Sequence, residues 1–337
     1  MKLDVALMTT GLREALALAQ AAEAVGFDTL WASETQHDPF LPLAVAAVHT
    51  ERIGLGTAIA VAFARNPTSL AYLAWDLQAA SRGRFTLGLG TQVQAHIERR
   101  FGMPWGPPAP RLREMILAMR AVWDSWQHGS RLNFRGEHYK LTLMSPFFSP
   151  GPIEHPHIPI YIAGVNELMC QLAGELCQGL HVHPFHTTRY LREIILPAVQ
   201  RGLAQAGRSR ADISLSSSVF VITGESSREM AQMREEARRQ VAFYASTPTY
   251  SRVMELHGWG GERERLSSLA ARQRWEEMPG LITDEMLVQF AVEAPADELP
   301  QVVQQRYRGL LDRVTFYLPF DPARSALWRR WVEAFAR

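Results

Sequence analysis

No stretch of the 337-residue chain reaches the ~18 uninterrupted apolar residues that a membrane-spanning helix needs. The opening MKLDVALMTTG carries a charge inside its apolar run, so neither export nor membrane insertion is expected. Cysteine is nearly absent. Cys170 and Cys177, the two in the chain, sit in one helical stretch too far apart for a disulfide and read as reduced core residues of a cytoplasmic protein. There is no excess of charge either. With 35 basic residues against 34 acidic ones, no global field attracts nucleic acid or an anionic membrane, and a small-molecule substrate is the expected partner. Solenoid repeats, low-complexity tracts and interdomain linkers are also missing, so residues 1–337 are expected to form a single domain.

What the chain does have is core. Hydrophobic residues make up 47% of it, and its length suits a β/α barrel of ~250 residues with insertions. Short apolar runs rich in β-branched and aromatic residues alternate with stretches of helical period. KLDVALMT precedes LREALALAQAAEAVG, in which Leu12, Ala15, Leu16, Ala19, Ala22 and Val25 recur at three- and four-residue steps and Gly26 ends the helix. FDTLWAS leads to a helix around 40–49, RIGLGTAIA to one from Pro67 to about Ser81, and RFTLGLGT to one over about 109–127. IPIYIAG, GLHVHPF, ISLSSSVFVIT and RVTFYLPF complete eight strands, mostly apolar on both faces as parallel strands covered by helices should be. Eight such units fit an α/β fold of the closed (β/α)8 TIM-barrel kind better than an open sheet. Insertions are expected at 128–158, a hairpin followed by a Pro/Gly-rich loop, and at 244–294, a set of short helices.

A barrel of this kind builds its site after the C-terminal ends of the strands. SETQHDPF follows the second strand and offers Glu34 and His37 for proton transfer; turn and cap chemistry before Pro39 accounts equally for Ser33, Thr35 and Asp38. GLGTAIAVAFARNP follows the third, with small residues against which a flat ring can lie. Thr91, Gln92, Gln94 and His96 follow the fourth. Gly164 and Val165 follow the fifth, just before a helix starting near Asn166 whose free N–H groups favour a phosphate. His181, His183 and His186 follow the sixth. The first two point to one side, as a metal pair would, but the first strand supplies no further ligand, so no metal is expected.

GFDTLWASE, ERIGLGTAIAVAFARNP, GRFTLGLGT and IPIYIAG, in that order, resemble the bacterial-luciferase-like superfamily, in the branch that uses the deazaflavin coenzyme F420. The resemblance runs from about residue 2 to 205 and resumes near the C-terminus. It implies a deazaflavin or flavin at the barrel mouth, hydride transfer between the deazaflavin C5 and a small organic substrate, and a homodimer formed through the helices near 40–49 and 67–81. Residue by residue, Ala58 and Ile59 match a bulge with a non-prolyl cis peptide against the central ring, and Thr91 matches a contact to the cofactor side chain. Ala163, Gly164, Val165 and Asn166 match the segment holding the cofactor phosphate, Glu34 matches the acidic member of an acidic–His pair, and His183 is a further cofactor contact and candidate proton source. Thr35 stands where many relatives have that His, and Val93 where sugar-phosphate dehydrogenases of the family have a carboxylate. With Lys2 and Lys140 the only lysines, a sugar-phosphate substrate is not expected. Two other readings stay open: an FMN-dependent monooxygenase needing a flavin reductase, and a flavin-binding protein without turnover.

Overall fold

The alternation read from the sequence closes on itself in the computed structural model, which describes residues 1–8 and 11–336. Eight parallel strands form the ring: β1 (Lys2–Leu7), β2 (Thr29–Ala32), β3 (Gly54–Thr57), β4 (Phe85–Gly90), β5 (Ile160–Gly164), β6 (Gly179–Val182), β7 (Ser214–Ile222) and β8 (Arg313–Phe316). Each pairs with its neighbours in chain order, and β8 pairs with β1 through Lys2↔Arg313 to close the barrel. The end of the expected first strand, at Thr9, lies outside the described residues. Among those described, no helix is long and apolar enough to cross a membrane.

Helices α1 (Leu12–Val25), α2 (Phe40–His49), α3 (Pro67–Ala80), α4 (Pro108–His128), α5 (Glu167–Leu176), α6 (Leu196–Gln205), α7 (Ser227–Ala245), α8 (Leu299–Tyr307) and α9 (Ser325–Ala336) cover the ring, with shorter helices between them. Their ends follow local chemistry. Gly26 closes α1 at φ +98°, and the Asn66 side chain accepts the Ser69 N–H to start α3, with Pro67 in the first turn. In α1 the buried positions are Ala15, Ala19, Ala22 and Val25, the stripe its periodicity predicts. Cys170 and Cys177 are free thiols buried at the two ends of α5. Helices α5 and α6 cross so closely that a Cβ on Gly174 would lie 2.2 Å from the Val199 carbonyl oxygen, and one on Gly202 1.9 Å from that of Gln171.

Two segments, at 128–158 and 244–294, depart from the alternation of strand and helix. A two-residue-per-strand hairpin, Phe134–Arg135 with Lys140–Leu141, occupies the first, and the second contains short helices before returning at Ala291–Glu293 as a strand beside β7. Glu114 on α4 anchors the hairpin by accepting the N–H groups of Glu137, His138 and Tyr139 at 3.0, 2.8 and 2.5 Å. Arg111 adds a hydrogen bond to the Tyr139 hydroxyl and lies over the Phe63 ring, a second tether for the hairpin. Burial opposes the Glu114 charge, but the three amides outweigh it and lower its pKa. Glu114→Ala is expected to speed amide exchange at residues 137–139 by roughly tenfold at pH 7, since about one charge-assisted bond's worth of protection is lost. An unchanged exchange rate would mean that the hairpin is held elsewhere.

Candidate functional site

The C-terminal ends of the strands enclose a cavity of about 180 Å³. Ala58, Ile59, Ala163 and Val165 give it a small apolar wall, Trp31 and His181 stand at its base, and Ser216, Ser217, Ser218 and Thr315 contribute hydroxyls. His183 and Pro184 complete the side formed by β6. A larger hollow of about 550 Å³ opens at the other end of the barrel, beside Arg120, Trp123, Gln178 and Arg208. There the two arginines donate to carbonyls at the end of α5: Arg120 to Leu176, Arg208 to Gly174 and Cys177. We therefore read that hollow as helix capping at the barrel's stable end, and the smaller cavity as the site.

The wall after β3 is a bulge held point by point by β2. Ala58–Ile59 is a cis peptide, as the resemblance implied. Ala58 N–H donates to the Ala32 carbonyl (2.8 Å), Ser33 Oγ donates to the Ala58 carbonyl (2.7 Å), Glu34 N–H donates to the Ile59 carbonyl (3.1 Å), and Val61 N–H donates to Glu34 Oε2 (2.7 Å). Pairing then resumes, Ala60 with Leu89 and Val61 with Gly90. The glycines of TLGLG make room for this. A Cβ on Gly88 would sit 1.8 Å from the Thr57 carbonyl oxygen, and one on Gly90 2.6 Å from the Ile59 side chain.

Glu34 is thus engaged before any ligand arrives. Its Oε2 also takes Arg65 Nη1 at 2.6 Å, while Arg65 Nη2 reaches Asp38 Oδ2 at 2.7 Å and the guanidinium lies over the Phe40 ring. Burial lowers the Arg65 pKa, but Glu34 and Asp38 more than offset this and raise it. Asp38 Oδ1 accepts the Phe40 N–H at 2.8 Å, the cap chemistry weighed for it from sequence. His37 is exposed in the bend that follows Glu34, and neither residue is among those lining the cavity.

The remaining expected site residues divide in the same way. Ala58, Ile59, Ala163, Val165 and His183 line the cavity; Thr91, Gly164 and Asn166 do not. Asn166 caps α5 by accepting the Met169 N–H (3.1 Å), and a Cβ on Gly164 would meet Leu180 at 2.8 Å. Thr91 Oγ1 donates to the Gln92 carbonyl. Glu167, in the first turn of α5, pairs with Arg201 and Arg252 at 2.6 Å each. Sequence reasoning missed Arg65, whose partners lie about thirty residues upstream, and Trp31, hidden inside a strand.

Three histidines on or after β6 are kept neutral. Burial pushes His181 and His183 down to about 3 and His186 to about 4, with the nearby charges of Arg313, His186 and Arg306 adding to it. His181 lies edge-on to Trp31, ring centroids 4.7 Å apart, and its Nε2 is buried without a partner among the described residues. Beneath it, Trp31 Nε1 donates to Asp4 Oδ2 (2.9 Å), and Arg313 binds both Asp4 oxygens (2.8 and 2.6 Å) and reaches Asp28.

The family model described as luciferase-like monooxygenase matches residues 1–313. The chain belongs to that family. Among luciferase-like relatives, a Mycobacterium tuberculosis protein of uncharacterized function is 48% identical over 303 residues, covering 90% of this chain and 89% of its own. The 5,10-methylenetetrahydromethanopterin reductase of Archaeoglobus fulgidus is 27% identical over 310 residues, 89% of this chain and 88% of its own. The structure of the coenzyme F420-dependent tetrahydromethanopterin reductase from Methanopyrus kandleri superposes with a TM-score of 0.79 at 20% identity, over 99% of this chain and 98% of that one. The luciferase-like barrel is shared across that distance.

Proposed function

We propose that the protein is an F420-dependent oxidoreductase acting on a small organic substrate. The observation that carries this reading is the mouth cavity itself, where an apolar backbone wall faces a polar rim at the C-terminal ends of the strands. Relatives named as F420-dependent enzymes support the choice of cofactor. The residues present fit such a group. Ala58, Ile59, Ala163 and Val165 leave room for a flat ring, the hydroxyls of β7 and β8 meet polar ring edges, and the α5 start capped by Asn166 offers free N–H groups to a phosphate. The deazaflavin, when bound, supplies two-electron hydride chemistry at C5. The chain's own residues shape the mouth, exclude water from it and fix polar groups around it.

In this reading Glu34 is a positioning residue: it acts on the mouth through Val61 and Arg65. Glu34→Gln is expected to weaken F420 binding by about tenfold, with kcat changed less, because the ion pair with Arg65 is reduced to a hydrogen bond between a guanidinium and a neutral amide. His37→Ala should leave both near wild type. Titration of F420 fluorescence with each variant tests this; a 100-fold drop in kcat for Glu34→Gln at unchanged affinity would instead make Glu34 the proton carrier.

The family description supports a second reading, an FMN-dependent monooxygenase served by a flavin reductase. Titrating the purified protein with F420 and with FMN separates the two. Tight FMN binding without measurable F420 affinity overturns the first.

A further inference from the structure

Around the ring, β3 and β6 are three strand steps apart, so Ile59 and His183 face the mouth from different sides. His183 is not free to choose its hydrogen-bonding state. The Phe185 N–H donates to its Nδ1 at 3.1 Å, which makes Nδ1 the acceptor and puts the proton of the neutral ring on Nε2. The ring plane is fixed as well: Tyr250 stacks on it with centroids 4.2 Å apart, and Tyr244 meets it edge-on at 4.8 Å. Tyr244 is itself tied to Tyr317 through their hydroxyls at 2.9 Å. Nε2 has no protein partner among the described residues, and His183 lines the cavity. By contrast, Ser33 Oγ and Ser217 Oγ, also at the cavity, donate to the Ala58 and Val182 carbonyls.

We propose that His183, locked by the Phe185 amide as the Nε2–H tautomer, is the hydrogen-bond donor that receives the substrate's oxygen, and that the site reduces carbonyl compounds. The proposal rests on the reading that a reduced deazaflavin supplies the hydride. Reduction adds that hydride to the carbonyl carbon; the C=O π bond breaks, its electron pair moves to oxygen, and the resulting alkoxide takes a proton from water. A fixed N–H aimed at the oxygen stabilises the charge as it develops. The proton is exchanged with water and not with this ring, because Nδ1 already accepts from Phe185 and Nε2 already carries hydrogen. Burial keeps the ring neutral, which agrees with a donor and not with an imidazolium acid.

The test has three parts, on the full chain. Nitrogen-15 NMR of histidine-labelled protein should show, at pH 7, a neutral Nε2–H ring whose signal disappears in His183→Phe; an Nδ1–H or charged ring overturns the proposal. p-Dimethylaminobenzaldehyde, added without any cofactor, absorbs at longer wavelength when its carbonyl accepts a hydrogen bond. Its band should shift with the wild type and with His183→Gln, which keeps an N–H near the Nε2 position, and not with His183→Phe, which keeps the stacked ring. No shift with wild type, or an equal shift with His183→Phe, overturns the proposal. With F420H2 and the same aldehyde, kcat should fall roughly 10²-fold in His183→Phe, the usual loss for one oxyanion donor, with KM moving less. If F420 fails to bind while the wavelength shift persists, the redox reading falls and the role of His183 as carbonyl donor stands.

Discussion

Arg313→Met should cost 3–5 kcal/mol of folding stability, the range for stranding one member of a buried ion pair. Asp4 is only 1% exposed and burial already raises its pKa, so without the guanidinium it must either hold a buried charge unpaired or take up a proton, and both cost stability. A chain of this kind has on the order of 5–15 kcal/mol in total, so the variant would sit near the edge of folding at physiological temperature. Urea unfolding followed by tryptophan fluorescence measures the change. Adding Asp4→Asn, which removes the stranded charge and leaves an oxygen for the Trp31 N–H, should recover more than half of the loss. A loss below about 1 kcal/mol for the single variant would mean that the pair behaves as an exposed one. The effect reaches function because Trp31 forms part of the cavity base and His181 rests against it.

The second large effect is acid sensitivity well above the carboxylate range. His181 and His186 are both buried, with pKa values of about 3 and 4 against an ordinary 6.5. A depressed folded-state value means that the unfolded chain binds the extra protons, so the stability tied to these groups is complete above pH ~6.5 and is lost as pH falls below it. Each contributes a slope of about 1.4 kcal/mol per pH unit between the two values, so roughly 3 kcal/mol per unit is expected from the pair between pH 6 and 4.5. His183, at the cavity wall and also pushed down to about 3, adds a comparable share in the same direction. The carboxylates whose pKa values are lowered, Glu23, Asp28 and Glu114, lose their contributions only at more acid pH. Urea midpoints measured across this window give the slope, and His186→Gln should reduce it by about a third. A slope under 1 kcal/mol per unit would sink the account.

Why the barrel was legible and part of the site was not comes down to how far apart the interacting residues lie. A buried parallel strand announces itself within a handful of residues, as in GFDTLWAS, and a helix end needs only Gly26 or Asn66. The cap made by Asp38 is local in the same sense. Glu34 is a different case. Its environment is written by Val61 and Arg65, about thirty residues later, so a carboxylate after a strand reads as a proton carrier and shows nothing of the clasp it forms. Asp4 and Arg313, at opposite ends of the chain, leave no local trace of their pairing. Tyr250, which fixes the plane of His183, lies in the insertion whose contents resembled nothing assignable. Legible at the mouth were Ala58, Ile59, Ala163 and Val165, which form its small apolar wall, and His183.

Tyr244 and Tyr250 reach the mouth from the span that begins at the end of α7, while the bulge and the histidines belong to the ring. No barrel strand's register runs through residues 246–290. The span can be lengthened, shortened or rewritten without sliding any strand past its neighbour. The fold therefore separates what must be inherited unchanged from what is open to variation, and descendants of this chain can diverge in what they admit while keeping the same ring beneath it.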